Sequence, residues 1–397
     1  MAFSKAYIPY GGYWSSPYSK WQGSFANLHA LELAAQTARK FFEMRKIDVG
    51  RLENGYLGMT IPQPSCFYGG PWTMAMLGGE RITAPVVNQA CITGIVCTKL
   101  AAADIEEGIV GSSLVVTADR CSNGPHLYYP SQVKPGATGH SEDWVWDNFG
   151  HDPWAKNAMI QTAENVAKEH GVTREQNDEV AARRYEQYAD ALKDDAAFLR
   201  KFMVPVEVGR GKKAKTISVD EGVFPTTLEG LQTLKPVLPD GTLTFGAQTH
   251  PADGNTGLIV GTKEMAAELS ADSKIEIQII GFGTAREKKG YMAAATLPAT
   301  HNTLANAGLK IDDIKAVKTH NPFATNDVVL CKEFGLDFKD VNNYGSSIVW
   351  GHPQGPTALR TLIELIEELV LRGGGYGLYA GCAAGDTAGG LIIKVTG

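Results

Sequence analysis

Cysteine is scarce and scattered in this 397-residue chain: Cys66, Cys91, Cys97, Cys121, Cys331 and Cys382 form no Cys-x-x-Cys pair and no zinc-ligand cluster. That spacing argues against a disulfide framework and an internal structural metal, and it suits a reducing cytoplasm. Positive charge is not in excess. The net charge is −6, which leaves no basic footprint for nucleic acid. No apolar run reaches the ~18 residues of a membrane span. Residues 1–21 are aromatic and rich in Gly and Ser rather than basic and then apolar, so neither an anchor nor a secretion signal is expected. What is present, 44% hydrophobic and 20% charged residues, describes a globular chain long enough for two domains or one large α/β unit with an insertion.

The first clear element is a helix, because Leu28, Leu31, Ala35, Ala38 and Phe42 recur at spacings of three and four and form one apolar stripe. A strand over 56–60 follows. Then come a strand-like run at Ala84-Pro85-Val86-Val87, a small-residue helix to about Glu107, and an apolar strand over 113–118. Strand, turn, helix and strand at these lengths predict a partly parallel sheet covered by helices. From Cys121 to about Asp240 the rhythm breaks. An aromatic, Pro/Gly-rich segment (Tyr128, Tyr129, Trp144, Trp146, Phe149, Trp154) precedes helices over 158–170 and 174–193 and a basic run from Arg210 to Lys215, read as a solvated hairpin tip. This stretch reads as an insertion over the active-site end of the sheet, its aromatics serving either a binding wall or the packing of the loop itself. From Gly241 the opening rhythm returns, with a strand over 316–319, a turn at 345–347, a helix over 356–371 and a strand over 376–381. The two halves look like duplicates: 1–120 with 241–257 returning to it, and 258–397, around an insertion at 121–240.

The turn Asn88-Gln89-Ala90-Cys91-Ile92-Thr93-Gly94 joins strand to helix. A cysteine there meets unpaired N–H groups and the positive end of the helix dipole, which favour thiolate, lower the thiol pKa and can receive an oxyanion. Alone, such a cysteine reads more readily as a small buried hydrophobe. The second half supplies the partners a nucleophile needs. His320 directly follows a strand, His352 sits in Trp350-Gly351-His352-Pro353 before a helix, and Cys382 is expected to close the last strand in Gly381-Cys382-Ala383-Ala384. Nucleophile, base, second acid/base and oxyanion donor each have a candidate.

Taken together these motifs resemble the thiolase family, nearly end to end. Cys91 with Gly94 is similar to the family's nucleophile motif, and Met159-Ile-Gln-Thr-Ala-Glu-Asn165 resembles its Met-x-x-Thr-Ala-Glu helix. The segment from Asp220 to Leu231 resembles the close of its loop domain, Gly241 to Gly254 the start of its second half, and Gly351-His352-Pro353 and Cys382 its last two motifs. The resemblance implies an α/β fold of two similar βαβαβ halves in α-β-α-β-α layers with an inserted loop domain, and a dimer. It also implies a mechanism in which His352 takes the Cys91 proton, Cys91 attacks the keto carbon of a 3-oxoacyl-CoA, and Cys382 protonates the leaving carbanion and then activates coenzyme A as co-substrate. No permanently bound cofactor is implied.

Departures refine the expectation. His320-Asn321-Pro322-Phe323 stands where many members carry Asn-Glu-Ala-Phe and is similar to the histidine-containing, sterol-carrier-type version, so His320 and His352 are expected to donate to a thioester oxyanion. Ala384 replaces a glycine, and its backbone N–H is expected to serve beside that of Cys91 in the second oxyanion hole. Ala158 and Phe224 stand where a histidine and an adenine-side arginine are expected, leaving Met159, Thr249 and Phe323 as the candidate coenzyme A contacts. Trp144, Trp146, Phe149 and Trp350 favour a bulky or aromatic acyl group, as in the thiolases of anaerobic toluene breakdown that form benzoyl-CoA and succinyl-CoA from benzoylsuccinyl-CoA. Such enzymes resemble others that pair with a small zinc-ribbon and OB-fold protein. The alternatives are a general 3-oxoacyl-CoA or acetyl-CoA acyltransferase of lipid metabolism and a catalytically silent, thiolase-like scaffold, against which the intact Cys91, His352 and Cys382 speak.

Overall fold

The apolar stripe near the start becomes α1 (Ala30–Arg45), opened by the His29 side chain accepting from the Leu31 N–H and ended by Lys46 in a left-handed conformation. The computed structural model describes residues 1–133 and 136–397. In the first half β1 (Tyr7–Ile8), which the sequence pattern does not predict, precedes α1, and β2 (Asn54–Gly58), β3 (Val86–Val87), α2 (Thr93–Glu106) and β4 (Ser112–Arg120) follow the predicted order. The inserted segment carries α3 (Met159–His170) and α4 (Arg174–Ala191), and the chain returns as β5 (Ala252–Gly261). The second half contains β6 (Glu276–Arg286), α5 (Thr296–Ala307), β7 (Ile314–His320), α6 (Ala324–Phe334), α7 (Gly355–Leu371), β8 (Gly375–Ala383) and β9 (Thr387–Thr396).

One pairing scheme occurs twice. β2 lies parallel to β4, which runs antiparallel to β5, and β7 lies parallel to β8, which runs antiparallel to β9. β1 pairs with β5 on one side and β6 on the other. It thereby links the halves into an eleven-stranded mixed sheet among the described residues, in the order β7-β8-β9-β6-β1-β5-β4-β2-β3, with two short strands alongside β5. Strands buried on both faces read as continuous apolar runs, which is the pattern of Leu114-Val115-Val116 and Leu391-Ile392-Ile393, all fully buried.

α1 covers the outer side of the first half and α5 that of the second, while α2 and α7 lie between the halves and touch strands of both. Their crossing depends on Gly94: a Cβ there would come within 2.8 Å of the Leu359 Cβ and backbone nitrogen. Positions 355–369 of α7 are buried without exception. Its charged side chains are accordingly paired, Arg360 with Asp220 at 2.6 and 2.7 Å and with Glu364 at 3.1 Å, and Glu364 with Lys318 at 3.0 Å.

The inserted segment holds the hairpin His126–Tyr129 with His140–Asp143, a short helix Trp146–Gly150, then α3 and α4, and the hairpin Val206–Val208 with Lys215–Ile217. The basic run forms the exposed tip of that last hairpin. α3 and α4 pack on α6, and the buried Arg184–Asp327 pair, 2.9 Å apart, fixes that contact. One boundary differs from expectation. β5 stays paired with β4 through Gly261, so position 258 lies inside a strand of the first half, and the second half begins with β6. The apolar run Leu258-Ile259-Val260 carries no break signal because the buried strand continues through it to Gly261.

Candidate active site

Local strain marks the cysteine turn. Ala90 adopts φ +46°, which costs about 1–3 kcal/mol in a residue with a Cβ. The turn Ala90–Ile92 is a 3-10 segment that runs into α2 at Thr93. The Thr93 hydroxyl accepts from the Gln89 N–H at 2.8 Å and donates to the Ala90 carbonyl at 2.7 Å, closing the loop on itself. Cys91 is thereby presented at the floor of a cavity of about 490 Å³.

His352 Nε2 lies 3.2 Å from Cys91 Sγ. The other ring nitrogen, Nδ1, is 2.6 Å from the Thr357 hydroxyl in the first turn of α7. In the tautomer in which Nδ1–H donates to Thr357, Nε2 is bare and faces the thiol as a base. Gly351, at φ +93°, makes the turn that delivers His352; a Cβ there would meet Ala252 and His250 at 2.8 Å. Behind His352 stands His320, the ring centroids 4.2 Å apart, with Nδ1 3.0 Å from the Ser347 hydroxyl. His320 Nε2 is fully buried without a hydrogen-bond partner among the described residues. Cys382 Sγ accepts from the Asn326 amide at 3.3 Å. Cys91, His320 and His352 also form a soft donor set whose atoms lie within 4.8 Å of one another, although the two rings are nearly stacked, with an interplanar angle of 30°.

The electrostatics reverse one expectation. Burial pushes the Cys91 thiol up to about 12 rather than down, even though the Ala384 and Cys91 backbone N–H groups pull the other way. Burial also drives His352 well below its usual range, with His320 and His250 adding to the fall and a Gln354 hydrogen bond opposing it. It drives His320 down to about 3, and it raises the Cys382 thiol. The resting pair is therefore neutral thiol and neutral imidazole, because desolvation outweighs a single helix terminus.

Among the expected site residues, Cys91, His352, Ala384, Met159, Thr249, Phe323, Trp144, Trp146 and Phe149 line the cavity. Cys382 and His320 sit behind its wall, fully buried. Trp350 is a correction. It is fully buried away from the cavity, edge-on to Tyr18 at 5.4 Å and under the Arg360 guanidinium at 4.5 Å, because α7 needs a flat cover for its buried cation. Trp154 is exposed beside Lys289, and Phe224 is 63% exposed; neither lines the cavity. Trp144 donates its indole N–H to the Thr60 carbonyl at 2.9 Å, which fixes that wall. No charged side chain lines the cavity among the described residues.

Sequence reasoning passed over three groups. Gln354 is buried, lines the cavity and has its carboxamide oxygen 3.5 Å from Cys91 Sγ; a polar residue within the His352 turn was the available signal. Asp119, at the end of β4, accepts from the Thr60 N–H and hydroxyl at 2.8 Å, the Ile61 N–H at 2.9 Å and the Gly355 N–H at 2.8 Å. It ties the first half to the start of α7, and its burial pushes its carboxyl up to about 7. Asn326 was readable only as a polar residue one turn into α6.

Fold and site together define a two-half α/β protein whose reaction pocket is centred on a cysteine faced by a histidine of the opposite half. Residues 14–264 match the model of the thiolase N-terminal domain and residues 273–395 that of the thiolase C-terminal domain. The chain belongs to the thiolase family and is an acyltransferase enzyme of that family. It is 26% identical to human mitochondrial 3-ketoacyl-CoA thiolase over 397 residues, covering 96% of each chain. Identity is 30% to the beta-ketothiolase BktB of Cupriavidus necator, covering 91% of this chain and 92% of the relative, and 29% to Escherichia coli acetyl-CoA acetyltransferase, covering 94% and 95%. The crystal structure of the human mitochondrial 3-ketoacyl-CoA thiolase in complex with CoA superposes with a TM-score of 0.90 at 26% identity, over 100% of this chain and 99% of that one. No helix among the described residues is long and apolar enough to cross a membrane.

Proposed function

We propose that the chain cleaves a 3-oxoacyl-CoA by thiolysis through an acyl-Cys91 intermediate, with a bulky or aromatic acyl group such as the benzoyl group of benzoylsuccinyl-CoA. The observation that carries the reading is the 3.2 Å contact between Cys91 Sγ and a neutral His352 Nε2 at the floor of an aromatic, uncharged cavity. Because the resting pair is neutral, the Cys91 proton moves to His352 as sulfur attacks the keto carbon, so charge is absent from the resting site and develops on the way to the tetrahedral intermediate. The tetrahedral oxyanion is received by the Cys91 and Ala384 backbone N–H groups, the two that flank the sulfur. The carbon–carbon bond then breaks, the acyl group stays on sulfur, and the electron pair goes to the α-carbon of the departing acyl-CoA. That carbanion is an enolate whose oxygen takes a hydrogen bond from His352; His320, whose Nε2 has no partner among the described residues, adds a second when the Ser347 hydroxyl turns its hydrogen from Asn321 to His320 Nδ1. Cys382 supplies the proton to carbon and takes one from incoming coenzyme A; the coenzyme thiolate attacks the acyl carbon, Cys91 sulfur leaves as the new thioester forms, and His352 returns its proton to Cys91.

Trp144, Trp146 and Phe149 support an aromatic acyl group, since flat walls without charge stack on a ring. Met159, Thr249 and Phe323 are read as coenzyme A contacts. The assembly is read as a homodimer, with a small zinc-ribbon and OB-fold protein as the candidate second subunit. Six free cysteines suit a reducing cytoplasm. A second reading, general 3-oxoacyl-CoA or acetyl-CoA acyltransfer, draws on the activities in the names of the relatives.

Intact mass of the purified chain after incubation with benzoyl-CoA or acetyl-CoA, beside Cys91→Ser, separates the readings. A benzoyl adduct lost in the variant is the expected result. An acetyl adduct alone sinks the aromatic substrate and leaves the general reading. No adduct from either sinks acyl transfer by this chain on its own.

A further inference from the structure

Gln354 combines a strained backbone with a buried polar side chain aimed at the cysteine. Its φ of +64° and ψ of −104° lie where residues with a Cβ rarely go, and such strain persists where the surroundings over-determine it. Its backbone duty, accepting from the Thr357 N–H at 3.1 Å, could be met by any residue. Its side chain is buried to 7% exposure, reaches into the cavity, and brings its carboxamide oxygen 3.5 Å from Cys91 Sγ, beside the His352 ring. No carboxylate completes a triad here, since the partner of His352 Nδ1 is the Thr357 hydroxyl. A protonated His352 would thus lack a strong acceptor in a fully buried site.

We propose that Gln354 is the positioning residue for the first proton transfer, its carboxamide oxygen accepting the Cys91 S–H before transfer and the His352 Nε2–H after it. The proton leaves sulfur for His352 Nε2, and Gln354 changes partner without gaining or losing a proton. The inference rests on the acyl-Cys91 reading and deepens it. The titratable groups facing His352 are Cys91 at 3.2 Å, His320 behind the ring, His250, and Cys121, whose Sγ lies 3.7 Å from the His352 carbonyl; Asp119 reaches the pair through the Gly355 N–H and the field at Cys91.

The test is the pH profile of Cys91 alkylation by iodoacetamide, located by peptide mass, in the native chain, Gln354→Leu and Gln354→Glu, with thermal melts as the folding control. Removing the acceptor makes the imidazolium harder to form, so the acid limb moves to lower pH in the leucine variant. Supplying a carboxylate makes it easier, so the limb moves to higher pH in the glutamate variant. Single-turnover acylation is expected to slow about tenfold in Gln354→Leu, the loss of one hydrogen bond to a charged group. Coincident acid limbs in all three proteins overturn the proposal. If the leucine variant does not fold, the glutamate limb alone decides: a rise supports the proposal and an unmoved limb overturns it. Shifted limbs with no acyl adduct in the native chain would keep the role of Gln354 and remove the acyl-transfer reading instead.

Discussion

Cys91 and His352, 261 residues apart in the chain, meet at 3.2 Å across the interface between the two halves. Neither half holds a complete reaction pair. The geometry of acyl transfer is therefore a property of how the halves are pressed together, and residues that never touch substrate control it.

The neutral resting pair has a measurable consequence. With the thiol pushed from 9 up to about 12, Cys91 without its histidine should be almost inert at neutral pH. His352→Gln is expected to slow acylation by about 10²–10⁴-fold, measured as appearance of the adduct by mass. The same shift bears on stability. A thiol whose folded pKa is raised favours the folded state in full below pH 9 and loses that contribution as pH rises toward 12. Cys91→Ala should flatten part of the alkaline loss in a denaturation series.

At the crossing of α2 and α7, Gly94→Ala places a methyl group 2.8 Å from Leu359 Cβ and 3.1 Å from the Gly355 carbonyl. Overpacking of this kind costs about 1–3 kcal/mol. Urea unfolding should show that loss together with slower acylation, because Gly355 begins the helix that follows His352.

Two tryptophans should part company. On the proposed aromatic reading Trp146, edge-on to Phe149 at 6.1 Å on the cavity wall, sets acyl preference, so Trp146→Ala should lower kcat/KM for an aromatic acyl-CoA about 10-fold more than for acetyl-CoA. Trp350→Ala should leave that ratio unchanged and cost about 3–5 kcal/mol of stability, since it removes the cover over Arg360. Equal effects of both substitutions on the ratio would contradict the assignment of the wall.

Asp119→Asn turns one oxygen that accepts N–H donors into a donor among donors. The expected cost is about 1–3 kcal/mol, read by chemical denaturation. A fall in the acylation rate beyond that seen for an equally destabilising surface change would show that its bond to the Gly355 N–H holds His352 in register.

What could be read from the chain was local. The strand ends, the helices and the Cys91 turn follow from apolar spacing and small residues, and His320, His352 and Cys382 stand out because each ends a strand or opens a helix. What could not be read was set at long range. The high Cys91 pKa comes from burial by both halves, and the destination of Trp350 depends on the buried Arg360 of α7 rather than on its neighbour His352. Gln354 looks in sequence like a solvated loop residue because nothing nearby announces that its turn is closed over. The missed boundary at 258 has the same origin, since a central strand gives no local sign of where a half ends.

The position of α7 also sets an order for synthesis. Every residue from 355 to 369 is enclosed, and α7 lies against strands of the first half as well as the second. As the chain leaves the ribosome, the inner face of α2 has no cover until α7 emerges. The first half must wait, incomplete, while the inserted segment, β6 and β7 are made. The same helix, which follows directly on His352, brings that residue to Cys91, so the reaction pair assembles only after α7 has docked.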